Sequence, residues 1–320
     1  MQDVIITIEN GIDNPVIPVI KDEIEWEIER TGAPSQLTFT VIKDDNISFK
    51  EGDMVKLYYK EQPLFCGYVF SKERDKLHQI EVTAYDQIRY LQNKYSYVFT
   101  KKTASQIVEM LCKDFGVKTG VIEDTGYVIP SLIEDDQSAL DIILEALDET
   151  LVNTGEMYVL YDNFGSLELR NIAHMKSDML IDKDTAENFS YTSSIDDETY
   201  NKIVLYYVEE DTNDRIPYVA KDDNNISKWG LLQYYEEVSQ PSIGQHKADS
   251  LLQLYNKPTR ELEIEGAFGN PLIRGGCLVV VQLDLGDVIT SNYMLVDKVT
   301  HNFKNDLYTM DLTLLANLED

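Results

Sequence analysis

The sequence has few cysteines, glycines and prolines: its 320 residues include three Cys, 16 Gly and nine Pro. Sparse Gly and Pro exclude collagen-like and low-complexity chains. The three cysteines lie far apart in apolar surroundings, which is typical of buried thiols in a reducing cytosol rather than of a disulfide framework or a zinc site. They are Cys66, Cys112 and Cys277.

Long apolar runs and a secretory signal are also missing. No apolar run approaches the ~18 residues from which a membrane-spanning helix is recognised. Met1, Gln2 and Asp3 lead directly into a strand-like segment, without the basic start, apolar stretch and cleavage site of a signal peptide. We therefore expect a protein that is made and folded in the cytoplasm and does not insert into a membrane.

Catalytic and metal-binding motifs are absent from the sequence as well. It contains no Gly-x-Ser-x-Gly elbow, no phosphate-binding loop and no His-x-x-His or His-Glu-x-x-His spacing. Two of the four isolated histidines, His78 and His301, fall in or beside hairpins and are expected at the surface. Acidic loops at Asp182, Asp211 and Asp222 lack the glycine and distal glutamate of an EF-hand. We expect no enzymatic activity, no cofactor and no metal.

Negative charge is abundant. Against 28 Lys and Arg stand 57 Asp and Glu, a formal net charge of −29, and residues 101–200 alone hold 21 of the acids. Such a surface repels phosphate, which excludes sequence-specific nucleic-acid binding and docking on anionic lipid. Among so many carboxylates a glycosidase-like pair arises by chance, and the 20 Tyr suit protein contacts or stacking on sugars. A soluble cell-wall glycoside hydrolase or carbohydrate-binding β-protein therefore remains the alternative.

Residues 1–100 have the alternation of β-strands. Ile24, Trp26 and Ile28 alternate with glutamates, which predicts one face in a core and one in water or against a partner. Many short strands at close spacing are typical of an antiparallel barrel or sandwich. Similar alternating or apolar runs follow at 36–42, 54–60, 64–70 and 79–86.

Residues 101–190 change to helical periodicity and predict an acidic α/β insert. Thr103 and Gln106 form a capping box at the start of a first helix, and apolar spacing between 140 and 151 predicts a second. A turn at residues 163–165 joins two short strands. Strand patterns resume in residues 191–320, interrupted at about 209–258 by polar loops and a third helix.

One sequence of features occurs twice. Gly52 and Asp53 open a strand that is followed by a second strand, a polar turn and a third strand. Gly275 and Gly276 open the same series near the end of the chain. Any two antiparallel meanders look alike, so the pattern by itself leaves chance and an internal duplication equally open.

Three groups of positions follow one another along nearly the whole chain. They are Gly52, Asp53, Phe65, Gly67, Tyr68 and Asp86, then Ile226, Trp229 and Gly230, then Gly266, Gly275 and Gly276. In their order and spacing these groups resemble the hub proteins of contractile phage-tail baseplates, together with their prophage and tailocin (phage-tail-like bacteriocin) relatives in Gram-positive bacteria. No single motif among them is a catalytic fingerprint.

The resemblance implies a β-rich α+β chain with two similar antiparallel β-barrel domains and an α/β insert between them. The expected domains are a first barrel at 1–100, the insert at 101–190 and a second barrel at 191–320. The implied function is a structural hub, a homotrimeric ring of six barrels that adapts a hexameric tail tube to a trimeric spike.

The partners implied are further copies of the chain, the spike and the tail tube or tube-initiator protein, with baseplate wedge and tape-measure proteins beyond them. Such a particle is assembled in the cytoplasm of the bacterial host. An acidic channel wall would let DNA slip through without gripping it.

Overall fold

The strands of the N-terminal half follow the alternation of the sequence, with buried apolar side chains on one face. The computed structural model describes residues 3–11, 15–43, 47–77, 79–196, 198–209, 212–238, 241, 243–285 and 289–315. We call the first six strands the N-terminal unit: β1 (Val4–Glu9), β2 (Ile20–Glu29), β3 (Gln36–Ile42), β4 (Met54–Tyr59), β5 (Gln62–Arg74) and β6 (Gln79–Tyr85).

The next part of the chain, which we call the central insert, has its own apolar core between helices and short strands. Thr103 and Gln106 form the predicted capping box at the start of its first helix. After a 3-10 helix at Gln87–Gln92, its elements are β7 (Lys94–Thr103), α1 (Ala104–Asp114), β8 (Thr119–Ile122), β9 (Val128–Ser138), α2 (Ala139–Thr154), β10 (Tyr158–Asp162) and β11 (Leu167–Asn171), with a 3-10 helix at Ile172–His174.

The remaining strands form the C-terminal unit, which is interrupted by a small insert with a third core. The unit begins with β12 (Lys176–Asp182) and β13 (Asn188–Ser194). The small insert follows with β14 (Lys202–Val208), β15 (Arg215–Lys221), α3 (Asp223–Trp229), β16 (Gln233–Glu237) and α4 (Gly244–Tyr255). The unit is completed by β17 (Thr259–Phe268), β18 (Leu278–Asp284), β19 (Ile289–Lys304) and β20 (Leu307–Leu315).

The two units have the same strand order. In the N-terminal unit the spatial order is β1-β4-β5-β6-β3-β2, and in the C-terminal unit it is β12-β18-β19-β20-β17-β13. If the strands of each unit are numbered from one to six along the chain, the spatial order in both units is 1-4-5-6-3-2. One pairing differs in direction, since β1 lies antiparallel to β4 whereas β12 lies parallel to β18.

The likeness extends to single hydrogen bonds. Gly52 has φ 89° and donates its N–H to the Val69 carbonyl at 2.8 Å; Gly276 has φ 89° and donates to Val296 at 2.8 Å. In both units a register shift follows directly, between Val69 and Ser71 in β5 and between Val296 and Lys298 in β19. The structure therefore supports the repetition that the sequence left open.

The units join edge to edge into one 12-stranded sheet, because β2 pairs antiparallel with β19. We call this contact the seam. Buried side chains from both units form a single apolar cluster beneath it. Within each unit, the strand pairings of the described residues leave the path open at its ends, so neither closes into a barrel.

The β-rich α+β class is thus confirmed, whereas closure into two barrels is not observed. The predicted boundaries at 100 and 190 remain predictions, although the pairings group β7 with β9 in the central insert and β12 with β18 in the C-terminal unit. The interruption at 209–258 contains β15, α3, β16 and α4 rather than polar loops and one helix. Among the described residues, no helix is long and apolar enough to cross a lipid bilayer.

Candidate functional site

The outer face of the 12-stranded sheet is polar along both units. Most strands of this face bury every second residue, as β3 does with Leu37, Phe39 and Val41, and turn the residues between them outward, whereas the edge strand β13 buries none. Strict alternation of this kind gives one apolar and one polar face. We call the polar side the outer face. Its carboxylates include Glu23, Glu25, Glu27 and Glu29 on β2, Glu73 on β5, Glu81 on β6, Glu261, Glu263 and Glu265 on β17, and Asp311 on β20.

On the outer face of the seam, two lysines of β19 form ion pairs with glutamates of β2. The Lys298 ammonium lies 2.8 Å from a Glu27 carboxylate oxygen and 3.3 Å from one of Glu29. Lys304 lies 2.7 Å from Glu23. The hydrogen bond and the charge of Lys304 lower the pKa of Glu23, and the hydrogen bond to Glu27 raises the pKa of Lys298. Carboxylates away from the seam, such as Glu261, Glu263 and Glu265, keep the face acidic.

The inner side of the seam buries His301. Its side chain is 0% exposed, so the expected surface position was wrong; His78, the other hairpin histidine, lies outside the described residues. The imidazole donates from Nε2 to the Ile273 carbonyl at 3.0 Å and accepts at Nδ1 from the Tyr308 hydroxyl at 2.8 Å. Burial lowers the pKa of His301 from 6.5 to about 3, because the charged form cannot be hydrated there.

The first group of predicted motif residues shapes the turns of the N-terminal unit. Gly52 occupies the left-handed conformation described above, and the Asp53 carboxylate accepts the Lys50 N–H at 2.8 Å. Only glycine fits at position 67, since a Cβ there would lie 2.3 Å from the Tyr85 carbonyl oxygen and 2.5 Å from the Phe65 ring. These residues therefore support β4 and β5.

Tyr68 and Asp86 connect this unit with the central insert. The Tyr68 ring packs edge-on against Tyr90, with centroids 5.7 Å apart. Asp86 is buried and accepts hydrogen bonds from the Ser35 N–H, at 3.0 Å, and the Ser35 hydroxyl, at 2.7 Å. Burial and the neighbouring Asp162 carboxylate raise the pKa of Asp86 despite these bonds.

The third group of motif residues allows close approaches in the C-terminal unit. A Cβ on Gly275 would lie 2.5 Å from the Arg30 backbone nitrogen, at the seam. Gly276 lies against Val159 of the central insert. Gly266, at φ 64°, forms the irregularity in β17 and donates its N–H to Asp311 at 2.9 Å.

The second group lies apart from the sheet, in the small insert. Ile226 and Trp229 are half-buried on α3, and Gly230 ends that helix by donating its N–H to the Ile226 carbonyl at 3.0 Å. The structure therefore does not bring the predicted motif residues together into one site. They support three separate parts of the fold.

A metal site is not seen in the part of the chain that the structure describes, where no three His, Cys, Asp or Glu side chains are grouped as ligands. Of the acidic loops considered for calcium, Asp222 caps α3 and Asp182 accepts the Asp184 N–H at 2.9 Å. Asp211 lies outside the described residues. The expectations of no cofactor and no enzymatic activity stay predictions.

Comparison with known proteins gives the family. The YqbQ-like family matches residues 24–315, which include both inserts, the C-terminal unit and all of the N-terminal unit except β1 and the start of β2. The chain belongs to the YqbQ-like family. It is 32% identical over 310 residues to the uncharacterized protein YqbQ of Bacillus subtilis (strain 168), covering 93% of each chain. It is 30% identical over 314 residues to the phage-like element PBSX protein XkdQ of the same strain, covering 95% of this chain and 94% of that one.

Solved structures share the fold of this YqbQ-like chain. The 43 kDa tail protein of prophage MuSo2 from Shewanella oneidensis has a TM-score of 0.73 at 13% identity, with 98% of both chains covered. The tail protein of Neisseria meningitidis MC58 has a TM-score of 0.74 at 11% identity, with 98% of this chain and 97% of that one covered. The predicted resemblance to prophage tail and baseplate proteins is confirmed, and it supports a structural role in a tail.

Proposed function

We propose that this YqbQ-like protein is the hub of a contractile tail or tailocin baseplate, a homotrimeric ring that adapts a hexameric tail tube to a trimeric spike. The observation that carries the proposal is the repeated strand order of the two units. A chain that carries one unit twice supplies six nearly equivalent positions from three copies. Threefold symmetry is then kept for the spike, and approximate sixfold symmetry is presented to the tube.

In the ring, each unit occupies one of the six positions. Strands of the neighbouring units pair with its edge strands and complete its sheet. The seam shows how two such units meet through main-chain hydrogen bonds, reinforced by Lys298 and Lys304. A joint of this kind is rigid enough to hold tube and spike in line. The central and small inserts lie outside the repeated strand order, and we assign to them the contacts with wedge or tape-measure proteins.

The outer face of the sheet is the proposed wall of the central channel. Its row of carboxylates, with Glu261, Glu263 and Glu265 clear of the seam lysines, repels the phosphates of passing DNA. In a particle that carries no DNA, the same row of carboxylates prevents nucleic acid from binding to the channel wall. Assembly takes place in the cytoplasm of the bacterial host.

The test is co-expression with the spike protein encoded by the same prophage, followed by mass measurement and negative-stain electron microscopy. We expect particles containing three 36.7 kDa chains, with six lobes around an open centre and a spike on one side. The chain expressed without the spike serves as control for the spike's contribution. Monomers that never bind the spike would overturn the proposal.

A cell-wall assay separates the hub from the alternative hydrolase. Two carboxylates do meet between β9 and α2: burial raises the pKa of Glu134 to about 7, and also raises the pKa of its neighbour Glu145. We expect the purified chain to release no sugar from cell walls. Release that is abolished by Glu134→Gln or Glu145→Gln would favour the hydrolase instead.

A further inference from the structure

We propose that the free edge of β13 in one copy of the chain pairs antiparallel with the end of β5, Phe70–Arg74, in a second copy. The inference rests on the proposed ring and names the strands that close it. Both edges lack a strand partner among the described residues. β13 pairs on one side only, with β17, and β4 covers the second side of β5 only as far as Tyr68.

The seam within the chain is the template for this contact. There the second strand of the N-terminal unit, β2, pairs with the fifth strand of the C-terminal unit, β19. The reciprocal contact joins the second strand of the C-terminal unit, β13, to the fifth strand of the N-terminal unit, β5. Within one chain the described strands make the first contact and not the second, so we assign the second to another copy. A head-to-tail contact repeated in this way closes into a ring when the rotation between copies completes a full turn, as three copies do in the proposed trimer.

The matching pairings of the two units fix the register. Trp26 lies opposite Leu37 in β3, and Tyr191 lies opposite Leu262 in the equivalent strand β17. Ser71 is the first residue after the register shift in β5, as Lys298 is in β19. The seam pair Trp26–His301 therefore becomes Tyr191–Arg74 between copies, and Glu27–Thr300 becomes Thr192–Glu73.

The composition of β13 supports a buried edge. Its sequence, NFSYTSS, has no charged side chain, whereas strands that remain at a sheet edge usually carry charges that block pairing. Phe189 is 38% exposed, while Ile24, the equivalent residue of β2, is 1% exposed beneath the seam. Pairing with a second copy buries the edge of β13, including Phe189, as the seam buries β2.

The facing side chains are complementary across the new contact. The Tyr191 ring meets the Arg74 guanidinium, which replaces the stacked Trp26 and His301 rings with a cation over an aromatic face. The Tyr191 hydroxyl is buried with no hydrogen-bond partner among the described residues, and Arg74 brings donors to it.

The experiment is disulfide trapping in the full chain, co-expressed with the spike. The variant Glu73→Cys/Thr192→Cys places two thiols opposite each other between copies. The matched control, Ser71→Cys/Ser190→Cys, uses the same strands and the same face but is four residues out of register, about 13 Å along the strand. A disulfide needs Cα atoms less than about 7 Å apart. The three native cysteines are buried and give a low background.

Oxidation with copper phenanthroline is read on a non-reducing denaturing gel. We expect the in-register variant to migrate as covalent dimer and trimer, at least tenfold above the control, and to return to monomer with reductant. Rings seen by electron microscopy whose in-register thiols do not link would overturn this pairing while the hub proposal stands. Absence of any trimer in the wild-type chain, with or without the spike, would overturn both.

Discussion

The indole ring of Trp26 stacks on the imidazole ring of His301, with centroids 4.7 Å apart and planes inclined by 21°. The two residues face each other across β2 and β19, so the contact joins the two units inside their common apolar core. His301 in turn bonds Ile273 and Tyr308 of the C-terminal unit. The two strands of the seam are thus held together by side chains in the apolar core as well as by main-chain hydrogen bonds.

Removing the indole will weaken the seam. We expect Trp26→Ala to lower the free energy of unfolding by about 3–5 kcal/mol, because it leaves a cavity under both units. Trp26→Phe is the matched control, since it keeps an aromatic ring and removes a buried N–H that has no partner among the described residues. Guanidinium unfolding measures both. A phenylalanine variant as unstable as the alanine variant would show that stacking contributes little.

Acid will destabilise the fold through His301. Its pKa is about 3 when folded and 6.5 when exposed, so between these values the unfolded chain binds the extra proton. The stability contributed by the neutral imidazole is complete above pH 6.5 and is lost as the pH falls towards 3, at up to about 1.4 kcal/mol per pH unit.

Urea unfolding at several pH values isolates this histidine. We expect His301→Gln to flatten the pH dependence relative to wild type, whatever its stability at pH 7. His246 is exposed on α4 and serves as control, so His246→Gln should keep the wild-type slope. Equal slopes in wild type and His301→Gln would contradict a buried neutral imidazole.

A methyl group at Gly275 will push the two units apart. The Cβ of Gly275→Ala would lie 2.5 Å from the Arg30 backbone nitrogen, which donates to the Asp297 carbonyl at 2.7 Å. We expect a loss of about 1–3 kcal/mol in thermal or chemical unfolding. Gly120→Ala is the control, because its nearest neighbour is the flexible Glu168 side chain at 3.2 Å. A larger effect at Gly120 would contradict the close approach at the seam.

Lys247 will prove important for docking the small insert on the central insert. Its ammonium, on α4, lies 2.8 Å from Glu149 on α2 and 3.4 Å from Glu236 on β16. Burial opposes the charge, but the two carboxylates raise the pKa of Lys247 overall. Lys247→Met leaves both carboxylates without this partner, at an expected cost of about 1–3 kcal/mol.

A double-mutant cycle measures the coupling. Adding Glu149→Gln to Lys247→Met should recover part of the lost stability, because the unpaired charge on α2 is removed. Purely additive losses in chemical unfolding would show that the pair contributes no coupling energy.

Local patterns in the sequence predicted local structure well. The alternation around Trp26 gave β2, and Thr103 with Gln106 gave the start of α1, because periodicity and capping act over a few residues. The repeated glycine turns left an internal duplication open, and the structure gives Gly52 and Gly276 the same φ and the same type of hydrogen bond.

Distant contacts were out of reach of the same reasoning. No sequence feature near His301 indicates that it contacts Trp26, so the sequence predicts a surface position for this histidine. The parallel pairing of β12 with β18 and the helix α3 inside a polar stretch likewise depend on contacts with distant segments. The predicted motif residues mark turns and close approaches, which explains why they do not converge on a site.

The distance along the chain between the two strands of the seam has a consequence for synthesis. Glu29 precedes its partner Lys298 by 269 positions. At 5–20 residues per second, β2 waits roughly 13–54 seconds on the ribosome before β19 has been made. During that interval its edge is open to any other nascent strand. The four glutamates of β2 repel other acidic strands, such as β17, until the two lysines of β19 pair with Glu23, Glu27 and Glu29.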